Sequence, residues 1–303
     1  MKVENKVIVI LGPTASGKTK LAVSLARHFN GEIISADSRQ VYVGMDIGTG
    51  KDLKDYAQVP YHLINVASPK TQFSVAKFQK RARQAIRDIH RRGKLPVVVG
   101  GTGLYISALT QGYELVGTGQ MSKSTLQLVR KKLEAQSLPA LLRQLKKIDP
   151  ATYKVIDQKN RRRVQRAVEI YKLYGQPKSK LATKSAPPLD FFILGIKIPK
   201  ARLERNIHRR LLQRIKQGMV AEVKRLRASG VSWKRLEDFG LEYRWVSRYL
   251  RGNISKAEML TGLDRAIRQF AKRQMTWFKR DKQVIWVNSQ ATARRLIRDF
   301  LKW

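Results

Sequence analysis

The chain has 303 residues, with 62 Lys or Arg against 22 Asp or Glu, a formal net charge of +40 and a pI near 10.9. It has no cysteine and four scattered histidines, which excludes disulfides, iron–sulfur clusters and thiol catalysis and argues against a structural zinc site. At 43% hydrophobic residues it can bury a core, yet no stretch approaches the ~18 apolar residues of a membrane helix, so a soluble, cytoplasmic protein with no signal segment and no membrane partner is expected.

Five short apolar runs, at 7–11, 32–35, 95–99, 191–196 and 284–287, read as buried strands. Helical spacing falls between the early runs: Leu21, Leu25 and Ala26 follow the first, and Val75, Phe78, Ala82, Ile86 and Ile89 precede the third. Strands that are apolar along their whole length and alternate with helices indicate a parallel sheet covered on both faces. From about 113 to 185 the strand signal vanishes. Two helical stripes, one on Leu126, Val129 and Leu133 and one on Leu138, Leu141, Leu142, Leu145 and Ile148, precede a helix over 160–174 that stops at Gly175. A polar segment at 176–188 closes this helical insertion. The division expected is 1–112 with 186–303 as the α/β core and its helical C-terminal part, and 113–185 as an all-helical insertion. In the last third Leu203, Ile207, Leu211, Ile215, Met219 and Val223 repeat every four residues as one stripe, with Arg205, Arg209, Arg210, Arg214 and Lys216 off it.

A charge of +40 strains a folded chain unless a polyanion offsets it, and nucleic acid is the expected partner. The basic residues are interleaved with apolar helix positions, so they belong to charged faces of folded helices and not to a disordered arm. Solvated faces are the alternative for each of them taken singly.

Gly12-Pro13-Thr14-Ala15-Ser16-Gly17-Lys18-Thr19 fits the phosphate-loop pattern and lies after the first strand, at the opening of a helix. Backbone amides of such a loop converge on phosphate oxygens, Lys18 adds a point charge, and the Thr19 hydroxyl is placed to ligate Mg2+. A nucleotide hydrolase also needs an acid at the end of an apolar strand, but the 95–99 run ends in Gly100-Gly101-Thr102-Gly103. Asp37, after the second strand, is the candidate base, with a helix N-cap as its alternative role. A phosphate holder, a lone carboxylate and a basic surface suit a transferase that uses a diphosphate leaving group on a nucleic acid. A nucleoside or shikimate kinase type of phosphotransferase and a nucleic-acid-binding NTPase are the competing readings.

The same residues resemble the tRNA dimethylallyltransferase (tRNA isopentenyltransferase) family. The phosphate loop is shared with many kinases; the specific part is the ordered set Asp37-Ser38-Arg39-Gln40-Val41-Tyr42, Met45-Asp46-Ile47-Gly48-Thr49-Gly50-Lys51, Gly100-Gly101-Thr102-Gly103-Leu104-Tyr105, Arg163-Val-Gln-Arg166-Ala-Val-Glu169, Gly218-Met-Val-Ala-Glu222-Val and Ala271-Lys272-Arg273-Gln274-Met-Thr-Trp-Phe278. The chain departs from the family pattern at Lys159-Asn160, at Gly240-Leu241-Glu242-Tyr243 and at Ile267, where the family has threonine. The resemblance implies a P-loop NTPase-like parallel sheet flanked by helices with an all-helical insertion. It also implies transfer of a dimethylallyl group from dimethylallyl diphosphate to the N6 amine of the adenine 3′ of a tRNA anticodon, by a Mg2+-assisted enzyme taken as a monomer. In that reading Gly12 to Thr19 hold the donor's diphosphate. Asp37, Thr102 and Arg210, which lies eight residues before Gly218, carry the chemistry. Asp37, Ser38, Arg39, Gln40, Thr102, Arg161, Arg162, Arg163, Arg166, Lys272, Arg273 and Gln274 meet the tRNA anticodon stem-loop. For Gln40, capping of local backbone is the alternative, and His62 is expected to be structural.

Overall fold

Strand β1 (Lys6–Leu11) is buried along its whole length and forms the centre of a sheet. The chain is seen in a computed structural model that describes residues 4–112, 122–181 and 189–302. After β1 come α1 (Lys18–His28), β2 (Gly31–Ser35), β3 (Tyr61–His62), α2 (Val75–Arg91), β4 (Leu95–Gly100) and α3 (Gly103–Thr110). The helical stretch follows with α4 (Lys123–Glu134), α5 (Leu138–Ile148), α6 (Pro150–Val155), α7 (Arg161–Tyr174) and α8 (Lys178–Leu181). The chain then returns through β5 (Asp190–Ile196), α9 (Lys200–Lys216), α10 (Met219–Ala228), α11 (Trp233–Phe239), α12 (Leu241–Leu250), α13 (Lys256–Phe278), β6 (Ile285–Val287) and α14 (Gln290–Lys302). The described residues fall into two units, one drawn from 1–110 and 188–303 and the other from 111–187. The expected junction at 112–113, the one at 185–186 and residues 182–188 of the closing segment lie outside the described residues or at their edge.

In the first unit six parallel strands run in the order β3-β2-β4-β1-β5-β6. Alternation along β1 sends Ile8 and Ile10 to one face, with α1 and Ala293, Ile297 and Leu301 of α14, and Val7, Val9 and Leu11 to the other, with Phe78 and Ile86 of α2 and Tyr105 of α3. This doubly covered sheet is the α/β phosphate-loop architecture. All five expected strands form. Strand β3 is an addition: two residues carry no readable periodicity, and it exists because Ile33 and Ile34 pair with Tyr61 and His62. A third apolar cluster joins α9, α10, α12 and α13 to Val41, Tyr42 and Met45.

The four-residue repeat of 203–223 is not one helix. Gly218, at φ 96°, divides it into α9 and α10. Arg214, expected off the apolar stripe, is only 6% exposed.

The second unit has its own small core of Leu133, Leu141, Leu145, Val164, Ala167 and Val168. Ser122, Ser137, Asp149 and Asn160 each accept a backbone N–H at the start of α4, α5, α6 and α7, and Gly175 in the left-handed region ends α7.

Candidate active site

The phosphate loop leaves β1 and enters α1 through Ala15 and Gly17, both at positive φ (60° and 87°). The turn is closed by the Ser16 N–H donating to the Pro13 carbonyl at 3.3 Å. Lys18 Nζ donates back to Pro13 O at 3.2 Å. Burial pushes the Lys18 ammonium down to about 8; the Asp37 charge opposes this, and Arg210 and Arg214 add to it. Ala15, Ser16, Gly17, Lys18 and Thr19 form one wall of a cavity of about 960 Å³, and Asp52 with Arg202, Arg209, Arg210 and Arg214 is on the facing walls. Gly12 and Pro13 are buried behind the loop, and Thr14 edges a narrow crevice beside it.

Asp37 follows β2 at the same, C-terminal end of the sheet as the loop. Its Oδ1 accepts the Arg39 N–H at 2.9 Å, so the carboxylate closes a turn and caps no helix. Thr102 stands next to this turn. Its N–H donates to Ala36 O at 3.2 Å, and its Oγ1 accepts from Ser38 N at 2.9 Å and donates to Ser38 Oγ at 3.3 Å. Thr102 is thus tied to the Asp37 turn, and among the described residues its side-chain hydrogen bonds go to Ser38 and not to the phosphate loop. Gln274, expected to face tRNA, is buried. Its Oε1 accepts the Thr14 N–H at 2.9 Å and its Nε2 donates to Gly101 O at 2.7 Å, bridging phosphate loop and glycine loop. A Cβ at residue 101 would overlap the Gln274 amide, so glycine here leaves room for the bridge.

Several other expected RNA contacts also turn inward. Gln40 accepts from Ser35 Oγ at 2.8 Å and donates to the Gly50 carbonyl at 3.1 Å; it takes the local-capping role. Arg39 donates to Glu242 Oε2 at 2.5 Å. Arg210 donates to Asp52 at 2.7 Å on the cavity wall. Lys272 and Arg273 are exposed on α13. His62 pairs with buried Glu32 at 2.7 Å, away from this site.

In the helical unit the four arginines have different surroundings. Arg161 donates to the Glu134 and Gln136 carbonyls at 2.9 and 2.5 Å, closing the end of α4. Arg166 and Arg130 share buried Glu169 at 2.8 and 2.9 Å, an ion-paired link between α4 and α7. Arg162 and Arg163 are exposed at the start of α7.

Four supporting residues were given no role in the sequence reading. Glu222 accepts the N–H groups of Asp46, Ile47 and Gly48 at 2.8, 2.6 and 3.0 Å and the Tyr243 hydroxyl at 2.8 Å, holding the loop that ends at Lys51. Lys51, 1% exposed, donates to Tyr42 O, Asp46 Oδ1 and Asn65 Oδ1. Glu242 and Arg214 are the other two. A carboxylate inside an apolar stripe, as Glu222 is between Met219 and Val223, was the one available signal. Among the described residues no group of three or more His, Asp or Glu converges.

A family model described as IPP transferase matches residues 40–281, and one described as isopentenyl transferase matches residues 5–65. A protein of Geotalea daltonii named tRNA dimethylallyltransferase 1 is 46% identical over 273 residues, covering 90% of this chain and 86% of its own. The solved tRNA isopentenylpyrophosphate transferase of Bacillus halodurans is 36% identical, with a TM-score of 0.71 over 99% of this chain and 96% of that one. A eukaryotic dimethylallyltransferase solved acting on tRNA superposes with a TM-score of 0.82 at 27% identity, over 99% of this chain and 80% of that one. With an ordered phosphate loop, a carboxylate turn beside it and relatives matched over nine-tenths of its length, the chain belongs to the tRNA dimethylallyltransferase (IPP transferase) family.

Proposed function

We propose that the chain transfers the dimethylallyl group of dimethylallyl diphosphate to the exocyclic N6 of the adenine 3′ of the anticodon in tRNA. The observation that carries this reading is the shared position of the loop at Gly12 to Thr19 and the Asp37 turn at one end of the sheet, with Thr102 joined to the turn and Gln274 joining the two loops. The new bond is N6–C1 of the prenyl group. The C1–O bond breaks with its electron pair leaving on the diphosphate, and Asp37 takes the amine proton. Adenine's exocyclic lone pair is delocalised into the ring, so general-base help is worth about 10²–10⁴ in rate. The leaving diphosphate is received by loop amides, Lys18 and Arg210, donors already in place where charge develops. Mg2+ suits the donor set beside the loop, where the Thr19 hydroxyl and the Asp52 carboxylate line one cavity. It would be held by Thr19 and the diphosphate oxygens, and would neutralise charge on the leaving group. The acceptor adenine has to leave its stack to reach Asp37.

In this reading Arg162, Arg163, Lys272 and Arg273 hold phosphates of the anticodon stem-loop, each within its own unit. Arg39, Gln40, Arg161, Arg166 and Gln274 support the structure behind such contacts. No described helix is long and apolar enough to cross a membrane; the enzyme is taken here as a cytoplasmic monomer.

The test is transfer of radiolabel from dimethylallyl diphosphate to unmodified tRNA, with ATP hydrolysis measured alongside. Label in RNA without ATP turnover is expected; ATP consumption without label in RNA refutes the reading. In the Asp37→Asn variant the remaining carbonyl oxygen can still accept the Arg39 N–H. Turnover should therefore fall by about 10²–10⁴ with tRNA affinity kept.

A further inference from the structure

Helix α9 carries Arg210 and Arg214 one turn apart, and both are on the wall of the cavity that holds Lys18. Arg210 is the arginine implied by the family pattern; Arg214 is not. Its position is unusual for a residue the periodicity left to solvent. Nη1 donates to Glu242 Oε1 at 3.1 Å and to Gly48 O at 3.4 Å. Nε is buried with no partner. The only other atom of the same cavity wall among the buried unpartnered side-chain atoms of the described residues is the phosphate-loop hydroxyl Ser16 Oγ. Both guanidiniums close on Gly50, where a Cβ would overlap them.

The charge balance points the same way. Among the described residues Glu242 is the one carboxylate in an ion pair with Arg214, and it is shared with Arg39. Around this wall Lys18, Arg39, Arg210 and the buried Arg214 have Glu242, Asp37 and Asp52 as their neighbouring carboxylates, which leaves positive charge beside a buried guanidinium until an anion enters. Burial and then the neighbouring Arg210 push the Arg214 guanidinium down to about 10, with Glu242 pulling against them.

We propose that Arg214 is a second arginine on the leaving diphosphate, its fork fixed by Glu242 and its Nε–H kept for a diphosphate oxygen. Glu242 also grips Arg39, two residues after Asp37, so one carboxylate aligns the diphosphate side of the site with the segment that carries the base. A purely structural Arg214 would need its bonds to Glu242 and Gly48, but not the cavity-side charge. The proposal rests on the loop's binding a diphosphate, and its test separates the two.

The probe is inorganic pyrophosphate with Mg2+, titrated by calorimetry into the full-length protein and into Arg214→Met, with tRNA affinity and thermal unfolding measured on both. Loss of a charged hydrogen bond predicts at least about tenfold weaker pyrophosphate binding in Arg214→Met, with tRNA affinity within about twofold. Equal pyrophosphate binding by parent and variant overturns the role of Arg214 alone. No binding by the parent overturns the loop assignment with it. Should Arg214→Met not fold, the parent decides: in protein with 15N-labelled arginine, the Nε–H resonance that Arg214→Lys removes should move on saturation with pyrophosphate. An unmoved resonance refutes the proposal.

Discussion

Gln274 gives the sharpest test of how the site is held together. Gln274→Met keeps the side chain's length and most of its volume but removes both of its hydrogen bonds. The N–H of Thr14 and the carbonyl of Gly101 are then left facing a thioether inside the protein, at a position 6% exposed. An orphaned buried polar group costs about 1–3 kcal/mol, so the two together predict a loss of about 2–6 kcal/mol. The functional loss should fall on kcat more than on KM for dimethylallyl diphosphate, because the bridge sets the spacing between phosphate loop and glycine loop and offers the substrate nothing directly. Gln274→Glu distinguishes spacing from mere stability. It keeps the acceptor for Thr14 N–H but turns a carboxylate oxygen toward the Gly101 carbonyl and adds negative charge beside the phosphate loop. It should therefore raise KM for the prenyl donor, which the Met variant does not. Urea unfolding and steady-state kinetics on both variants are the assays. A Met variant within 0.5 kcal/mol of the parent and with unchanged kcat, the size of an ordinary surface substitution, refutes the reasoning.

The remaining predictions concern charge and its burial. Lys18 is held near 8, so the free enzyme loses that cation as pH rises through about 8, and kcat/KM for dimethylallyl diphosphate should fall above that pH; a profile level to pH 9.5 counts against a charged Lys18 in donor binding. Burial alone would raise the Glu32 carboxyl, but hydrogen bonds from His62, Arg92 and Lys94 hold it down at about 2. The stabilisation this brings is then complete above the ordinary carboxyl value near 4.5 and is lost as pH falls from there through 2, its size reduced by the solvent exposure of Arg92 and Lys94. Acid unfolding of Glu32→Gln should show a shallower slope across that window, and an identical slope would exclude Glu32 as its source. Glu222→Ala strips the acceptor from three backbone N–H groups and the Tyr243 hydroxyl, and should cost at least about 3 kcal/mol in urea unfolding with a raised KM for the donor, since the Gly50 loop backs Arg210.

Much of this protein could be read directly because its local rules agree with its fold. The strands β1, β2 and β4 are runs that only a sheet covered on both faces buries, while β6, expected to be buried, lies at the sheet edge with Ile285 exposed. The phosphate loop is a short-range pattern whose chemistry resides in the backbone. The ends of α7 are signalled locally: the Asn160 side chain accepts the Arg163 N–H three residues on, and Gly175 takes the left-handed turn that stops the helix. Side-chain roles were less accessible. Polar residues in a functional motif read as RNA contacts, yet Gln274 and Arg39 satisfy partners 260 and 203 positions away, and Gln40 and Arg166 satisfy partners close by in their own segment.

The sequence alone determined the sheet, the phosphate loop and the helices of the described part of the insertion, and it offered Asp37 as a candidate, since each depends on composition and spacing over a few residues. Only the tertiary structure decided which charges are turned inward. Arg214 and Glu242 are 28 positions apart, Arg39 and Glu242 are 203, and Thr14 and Gln274 are 260. Periodicity shows which face of a helix is apolar. Whether a polar group meets a partner across the fold, and so tolerates burial, depends on contacts that exist only after the chain has closed on itself.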